Sequence, residues 1–436
     1  MMATMNGFDK LNPTDDGKNG RSLPDGWEWM TIGDVTSPIE KVDPTQKPDK
    51  EFTYLDIASI DNSVHKITEP KSYYGADAPS RARQLVQAND VLFSTVRTYL
   101  EKIAQVPEIY DGQIASTGFS VLRANEIILP KYLFYYSLTK EFLEPLNELQ
   151  RGTSYPAVRD GDVRTQLIPV APRPEQKRIV SRVEELFSDL DAGVAALERV
   201  RVGLKRYKAS VLKAACEGRL FDNRGRMSGE LPEGWRWATL EELSSDANYG
   251  TSQKCVYNEN EFPVIRIPNI ISGNIDLDDL KFAIDSSGLR EKDSLSPGDL
   301  LIIRTNGSKD LIGKSALIRK PLEKQFYFAS YLIRYRIKDF ENVGAWVSTI
   351  WEAPVIRAWL ESVVATTAGQ YNLNIAKLNK LPIPLPPLDE QRRIVAEVER
   401  RLSVVREVES AVDAGLVRAG RLRQAVLRSA FEGRLS

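Results

Sequence analysis

The chain is expected to fold as α+β. Two globular domains, related by an internal pseudo-twofold, are joined by two long antiparallel helices that form a coiled coil. Three observations predict this. First, Glu175–Leu220 and Glu390–Leu435 align without a gap at an offset of 215, with 18 of 46 positions identical. That level marks a duplication, and the half-chain period makes the repeat a domain plus a helix. Second, each copy is preceded by the same turn, Leu23-Pro24-Asp25-Gly26-Trp27 and Leu231-Pro232-Glu233-Gly234-Trp235. Third, the stretches between turn and helix are broken into short β-rich runs with few helical segments.

A length of 436 residues suggests two or three domains. Lys+Arg 59 against Asp+Glu 60 leaves a net charge of -1, so no whole-chain basic signature of nucleic-acid binding exists. Any such binding must rest on local patches. The only cysteines, Cys216 and Cys255, imply neither a disulfide framework nor a zinc site. A reduced, cytoplasmic compartment fits. The single histidine, His65, removes most His-based triads and His-ligated metals. No apolar run is long enough for a membrane helix, and the start lacks a signal-peptide core.

In chain order, residues 1–21 read as a disordered tail, 22–172 as the first domain, 173–221 as a central helical spacer and 222–230 as a linker. Residues 231–387 form the second domain and 388–436 the C-terminal helical spacer. Trp27, Trp29, Trp235 and Trp237 follow the two Pro-x-Gly turns. They are expected to pack one face of an edge strand, with base stacking as the other reading. Runs such as Phe52–Ile57, Asp90–Val96 and Phe119–Leu122 read as strands. One helix is expected from Pro130 to about Leu149, and helical segments from about Val343 to Glu361. Each domain closes on a proline-rich stretch, Leu167–Pro172 and Leu381–Pro387. Proline at that density excludes a central strand and suggests a stiff connector to the long helix.

In the first long helix the apolar or small residues alternate four and three through Ile179, Val183, Leu186, Leu190, Gly193, Leu197, Val200, Leu204, Tyr207, Val211 and Ala214. The second gives Ile394, Val398, Val405, Val412, Leu422 and Val426, with Arg401 standing where the first has Leu186. This is a heptad seam, expected to pair the helices rather than pack each onto its own domain. Gly218 and Gly433 suit the left-handed position after the last turn.

Enzyme chemistry finds little support. There is no phosphate-binding Gly-rich loop, dinucleotide fingerprint or metal-ligand cluster, and no cofactor is expected on this chain. A local basic signal exists between Leu300 and Arg336, with eight basic residues against two acidic. Within it, Arg304, Thr305, Asn306, Lys309 and Lys314 follow a strand. Arg can fork to guanine, Asn can bridge adenine, and Lys can hold phosphate. A solvated charged hairpin is the bland alternative. In the first half the candidates are Arg81, Arg83, Arg97, Lys102, Arg151 and Arg159. Arg151-Gly152-Thr153-Ser154-Tyr155 matches Ala368-Gly369-Gln370-Tyr371-Asn372, so Thr153, Tyr155, Gln370, Tyr371 and Asn372 are further DNA-contact candidates. A Gly-polar-aromatic loop allows close backbone approach to a ligand, but it also serves as a plain turn.

The Leu-Pro-x-Gly-Trp turns, the proline-rich strands running into Glu-Gln, the long helices and the terminal Glu-Gly-Arg-Leu recur twice over about residues 22–436. In tandem they resemble the specificity (S) subunit of type I restriction-modification systems. The resemblance implies two target recognition domains, each reading half of a split double-stranded DNA site, with the helices setting the gap. It implies no active centre on this chain. Two methyltransferase (M) subunits would dock on the helices, bring S-adenosylmethionine and methylate adenine. Two restriction/motor (R) subunits would bring ATP and Mg. The competing readings are a coiled-coil scaffold without sequence-specific DNA binding and a self-contained restriction-methylation enzyme.

Overall fold

The computed structural model describes residues 23–221, 231–259, 262–271, 273–367 and 369–435. The expected tail 1–21 and linker 222–230 lie outside the described residues. The chain divides into two compact units, Met1–Ala196 with Ala414–Ser436, and Leu197–Asp413. The first long helix runs Arg173–Cys216 and the second Leu388–Phe431, so each contributes one half to either unit.

In the first unit, Glu28–Thr31 pairs antiparallel with the proline-rich Leu167–Val170. In the second, Arg236–Thr239 pairs with Pro382–Leu385 in the same sense. The proline-rich stretches are therefore paired strands of two-stranded ribbons rather than bare connectors. This is compatible with proline because a ribbon strand has a free edge. Two four-stranded sheets follow in each unit. The central pair is Val91–Ser94 with Phe119–Ala124 in one, and Asp299–Ile303 with Leu332–Ile337 in the other.

The expected helix from Pro130 to Leu149 is two, Pro130–Ser137 and Lys140–Glu148. Thr139 causes the break: its hydroxyl accepts from the Phe142 N–H as an N-cap. Pro354 likewise opens a new helix, Pro354–Val363, after Ala345–Ile350.

The duplication extends to individual hydrogen bonds. Trp27 Nε1 donates to Glu175 Oε2 at 3.1 Å, and Trp235 Nε1 to Glu390 Oε2 at 2.8 Å. Gln176 Nε2 donates to the Ala171 carbonyl at 2.8 Å, and Gln391 Nε2 to that of Pro386 at 2.8 Å. Arg123 forks onto buried Asp90 at 2.9 and 2.7 Å, and Arg336 onto buried Asp299 at 2.8 and 2.9 Å. Trp27 and Trp235 are thus buried and bonded to the long helices. Trp29 and Trp237 instead stand 39% and 49% exposed, so the four tryptophans do not share one packed face.

The helices pack antiparallel within each unit. In the first, Arg423 pairs with Asp191 and stacks over Phe187, while Phe431 meets Tyr132 and Tyr136 at 4.9 and 5.0 Å. In the second, Arg201 faces Asp413 at 3.7 Å. Charge favours this direction. From Arg199 to Cys216 and from Ala414 to Phe431 neither helix has an acidic residue. Antiparallel pairing sets each acid-free half against the acid-bearing half of its partner, whereas a parallel pair would oppose like charge. The same layout places acids near helix N-termini and bases near C-termini, complementing the dipole.

The seam differs in detail from its expected positions. Ile179, Val183, Val211, Ile394, Val398, Val405 and Val412 are buried. Leu186, Leu190, Leu197, Leu204 and Val426 are half-buried, and Phe187 and Leu427 are buried beside them. Leu422 is 43% exposed, because neighbouring Arg423 takes the inward position against Phe187 and Asp191. Phe187→Ala is expected to lower unfolding free energy by about 3–5 kcal/mol, and Leu422→Ala to stay within about 0.5 kcal/mol. Denaturant titration of the two variants distinguishes these values.

Gly218 and Gly433 occupy the left-handed region at φ 63° and 69°. A Cβ on Gly218 would lie 2.3 Å from Pro232 Cγ, and one on Gly433 2.3 Å from Pro24 Cγ. Each Glu-Gly-Arg-Leu therefore seats against a Leu-Pro-x-Gly-Trp turn, which is a physical reason for the two motifs to recur together. Gly433→Ala should cost roughly 1–3 kcal/mol through left-handed strain and the proline clash, read as a lower melting temperature.

Candidate nucleic-acid interface

At the end of the central strand of the first unit, Thr95 N–H donates to the Gly118 carbonyl at 2.9 Å, and the Thr95 carbonyl accepts from Val158 at 2.9 Å. Val96 then bridges Ala157, which also bridges Arg151. The second unit repeats this frame. Arg304 N–H donates to the Tyr331 carbonyl at 2.9 Å, and its carbonyl accepts from Leu373 at 2.8 Å. Thr305–Asn306, Gln370–Asn372 and Ala365–Thr367 complete a three-stranded sheet. Two stretches far apart in sequence meet in each unit. Arg97 joins 151–159, and Arg304–Asn306 join Gln370–Asn372.

The two arginines are held alike from non-equivalent positions, because Thr95 is the counterpart of Arg304. Arg97, at φ 50°, stacks 4.7 Å over the Tyr155 ring and donates Nη2 to the Ser154 carbonyl at 3.1 Å. Arg304 stacks 4.7 Å over Tyr249 and donates Nη1 to the Ser330 carbonyl at 3.0 Å. In both, Nε is buried without a partner among the described residues. A bidentate fork to guanine needs two free parallel N–H groups. In each arginine one N–H is spent on a carbonyl and the Nε–H is buried, so of five guanidinium donors only those left on the two Nη atoms can face a ligand. Asn306 Oδ1 already accepts from Ser308 N–H at 2.7 Å in a local turn. Tyr249, the ring under Arg304, was not among the sequence candidates. Its signal is only a tyrosine before Gly250, where a Cβ would strike the Phe328 carbonyl at 2.1 Å.

Other candidates lie elsewhere or are already engaged. Arg81 is exposed and Arg83 sits on the second sheet, 3.4 Å from Asp43. Lys102 donates Nζ to the Ile60 carbonyl. Lys309 pairs with Glu361 at 3.2 Å, and Lys314 is half-buried. Arg151, Thr153 and Arg159 are exposed beside Tyr155.

Among the described residues no group of three His, Cys, Asp or Glu side chains could hold a metal ion, and no helix is long and apolar enough to cross a membrane. Burial pushes the Cys216 thiol up to about 12, keeping it protonated. Burial also pushes the His65 imidazole below its ordinary value, so it stays neutral near pH 7.

A duplicated α+β module whose loop tips differ between copies suits a protein that presents two unlike recognition surfaces. Residues 24–198 and 232–401 match the type I restriction modification DNA specificity domain. The chain belongs to this family and is a type I restriction-modification DNA specificity subunit. It is similar to the type I restriction enzyme EcoKI specificity subunit of Escherichia coli strain K12, 24% identical over 95% of this chain and 90% of that one. The StySPI specificity subunit of Salmonella potsdam is 26% identical, covering 96% and 91%. A chain from a solved type I R-M system, described for complex assembly and conformational transition, superposes with TM-score 0.74 at 32% identity, covering 95% and 99%. The HsdS subunit from Thermoanaerobacter tengcongensis gives TM-score 0.54 at 32% identity, with the same coverage.

With one N–H of each guanidinium tied to a carbonyl and its plane stacked on a tyrosine, Arg97→Ala and Arg304→Ala are expected to weaken cognate and random DNA alike. The salt dependence of binding should fall by about one unit of slope for each phosphate no longer neutralised. Fluorescence titration over a salt series checks this. A loss confined to cognate DNA would instead assign the arginines to base reading.

Proposed function

We propose that each unit reads one half of a bipartite double-stranded DNA site, and that the two long helices fix the gap and dock two methyltransferase subunits. The observation that carries this reading is the repeated frame around Thr95 and Arg304, which presents different side chains in the two units. One frame with two surfaces suits a target whose halves differ. The chain supplies no chemistry of its own. The methyltransferase subunits bring S-adenosylmethionine and modify adenine in each half-site, and two restriction/motor subunits using ATP and Mg join for cleavage, in the cytoplasm. The near-neutral net charge of -1 is compatible with this role, because the partner subunits also grip the DNA backbone. The exposed candidates Arg81, Arg151, Thr153 and Arg159 are suited to phosphate contact that positions the reader without specifying sequence.

Matched four-residue insertions next to Gly193 and Gly420 test the spacer. Both glycines have open space around a hypothetical Cβ. Four residues add about 6 Å of helix, or roughly two base pairs. Single-molecule sequencing of methylated adenines should return both half-sites unchanged, with a gap longer by about two base pairs. Full methylation at the original gap would sink the spacer role.

A further inference from the structure

The two recognition units differ most usefully at one equivalent position. Val158 and Leu373 make the same hydrogen bond, to the carbonyls of Thr95 and Arg304. Counting back three residues from each gives Tyr155 and Gln370, so the strand frame sets Ala157, not Tyr155, against Asn372 and corrects the register of the sequence match. Both stand at the tips of the segments that complete the candidate interface, and both are exposed, Tyr155 to 72%.

Their surroundings fit them for contact outward rather than for packing. The Arg97 guanidinium covers one face of the Tyr155 ring at 4.7 Å. That fixes the ring while its other face stays in solvent, an arrangement that lowers the ordering cost of binding. The Gln370 side-chain amide makes no hydrogen bond to the described residues. Gly369 before it, at φ 76°, has open space around a hypothetical Cβ. The backbone of Gln370 is nonetheless held by pairing with Thr367. A free amide on a fixed backbone contrasts with Asn306 and Arg304 close by, where Oδ1 and Nη1 are already engaged internally.

We propose that Tyr155 and Gln370 are specificity-determining residues occupying one equivalent reading position in the two units. Gln370 donates and accepts along the major-groove edge of an adenine, whose N6 and N7 match a carboxamide. Tyr155 offers the open face of its ring beside the hydroxyl at its tip, and the ring face suits the 5-methyl group of a thymine. This inference rests on the split-site reading, with one half-site for each unit.

The test uses the full chain with its methyltransferase subunits and maps methylated adenines by single-molecule sequencing. Gln370→Ala is expected to lose at least about tenfold preference for adenine at one position of one half-site, leaving the other half-site intact. Tyr155→Ala should relax one thymine position of the opposite half-site, and Tyr155→Phe should retain it. Unchanged preferences in both alanine variants would overturn the assignment. So would equal losses over all positions, or a melting temperature lowered by more than a few degrees, since the tips would then be structural. If the wild-type complex itself shows no bipartite motif, the split-site reading fails first, before any variant is compared.

Discussion

Antiparallel pairing of the long helices is the constraint on which the rest depends. Each unit is built around the first half of one helix and the second half of the other. In the first unit, Phe431 lies among Tyr132 and Tyr136 while Val183 and Phe187 enter the same core. In the second, Val211, Leu212 and Ala215 join Ile394 and Val398. Neither core is complete with only one helix. The acid-free second halves make this direction the electrostatically favoured one, and Asp191–Arg423 and Arg201–Asp413 are its local expression. Exposed ion pairs contribute little each, so their role is choice of direction, while buried side chains supply the stability.

Around that frame the duplication is conservative where the chain is buried and divergent where it meets solvent. The Trp–Glu, Gln–carbonyl and Arg–Asp bonds recur with nearly the same lengths. Buried polar groups need their partners, because leaving one unsatisfied is costly. At the tips no such cost applies. Tyr155 and Gln370 stand at equivalent places in the repeated frame with unlike chemistry. A shared scaffold with exchangeable tips is how one fold can read two sequences.

The internal partners of Arg97 and Arg304 refine what a basic residue in such an interface does. Arg97 and Arg304 look alike in composition to any base-reading arginine. Their carbonyl and aromatic partners make them struts that hold a ring and a loop. Charge alone did not separate struts from readers, since that depends on which N–H groups remain free.

Much of the architecture was legible in residue order. Repeated motifs exposed the duplication, heptad spacing exposed the helices, and Pro-x-Gly turns marked where each unit begins. These are local signals, set by backbone sterics and by periodicity along one element. The sequence also brought Arg304, Asn306 and the 370–372 stretch under suspicion. It could not join them to one another, because the three-stranded sheet they form closes across more than sixty intervening positions and pairing at that distance leaves no local pattern. Tertiary structure alone decided that Arg423 rather than Leu422 faces Phe187, that Thr139 splits a helix, and that Tyr249 lies under Arg304. It also decided which polar side chains are already satisfied. Each of those outcomes is a competition among neighbours that only the packed molecule brings within reach.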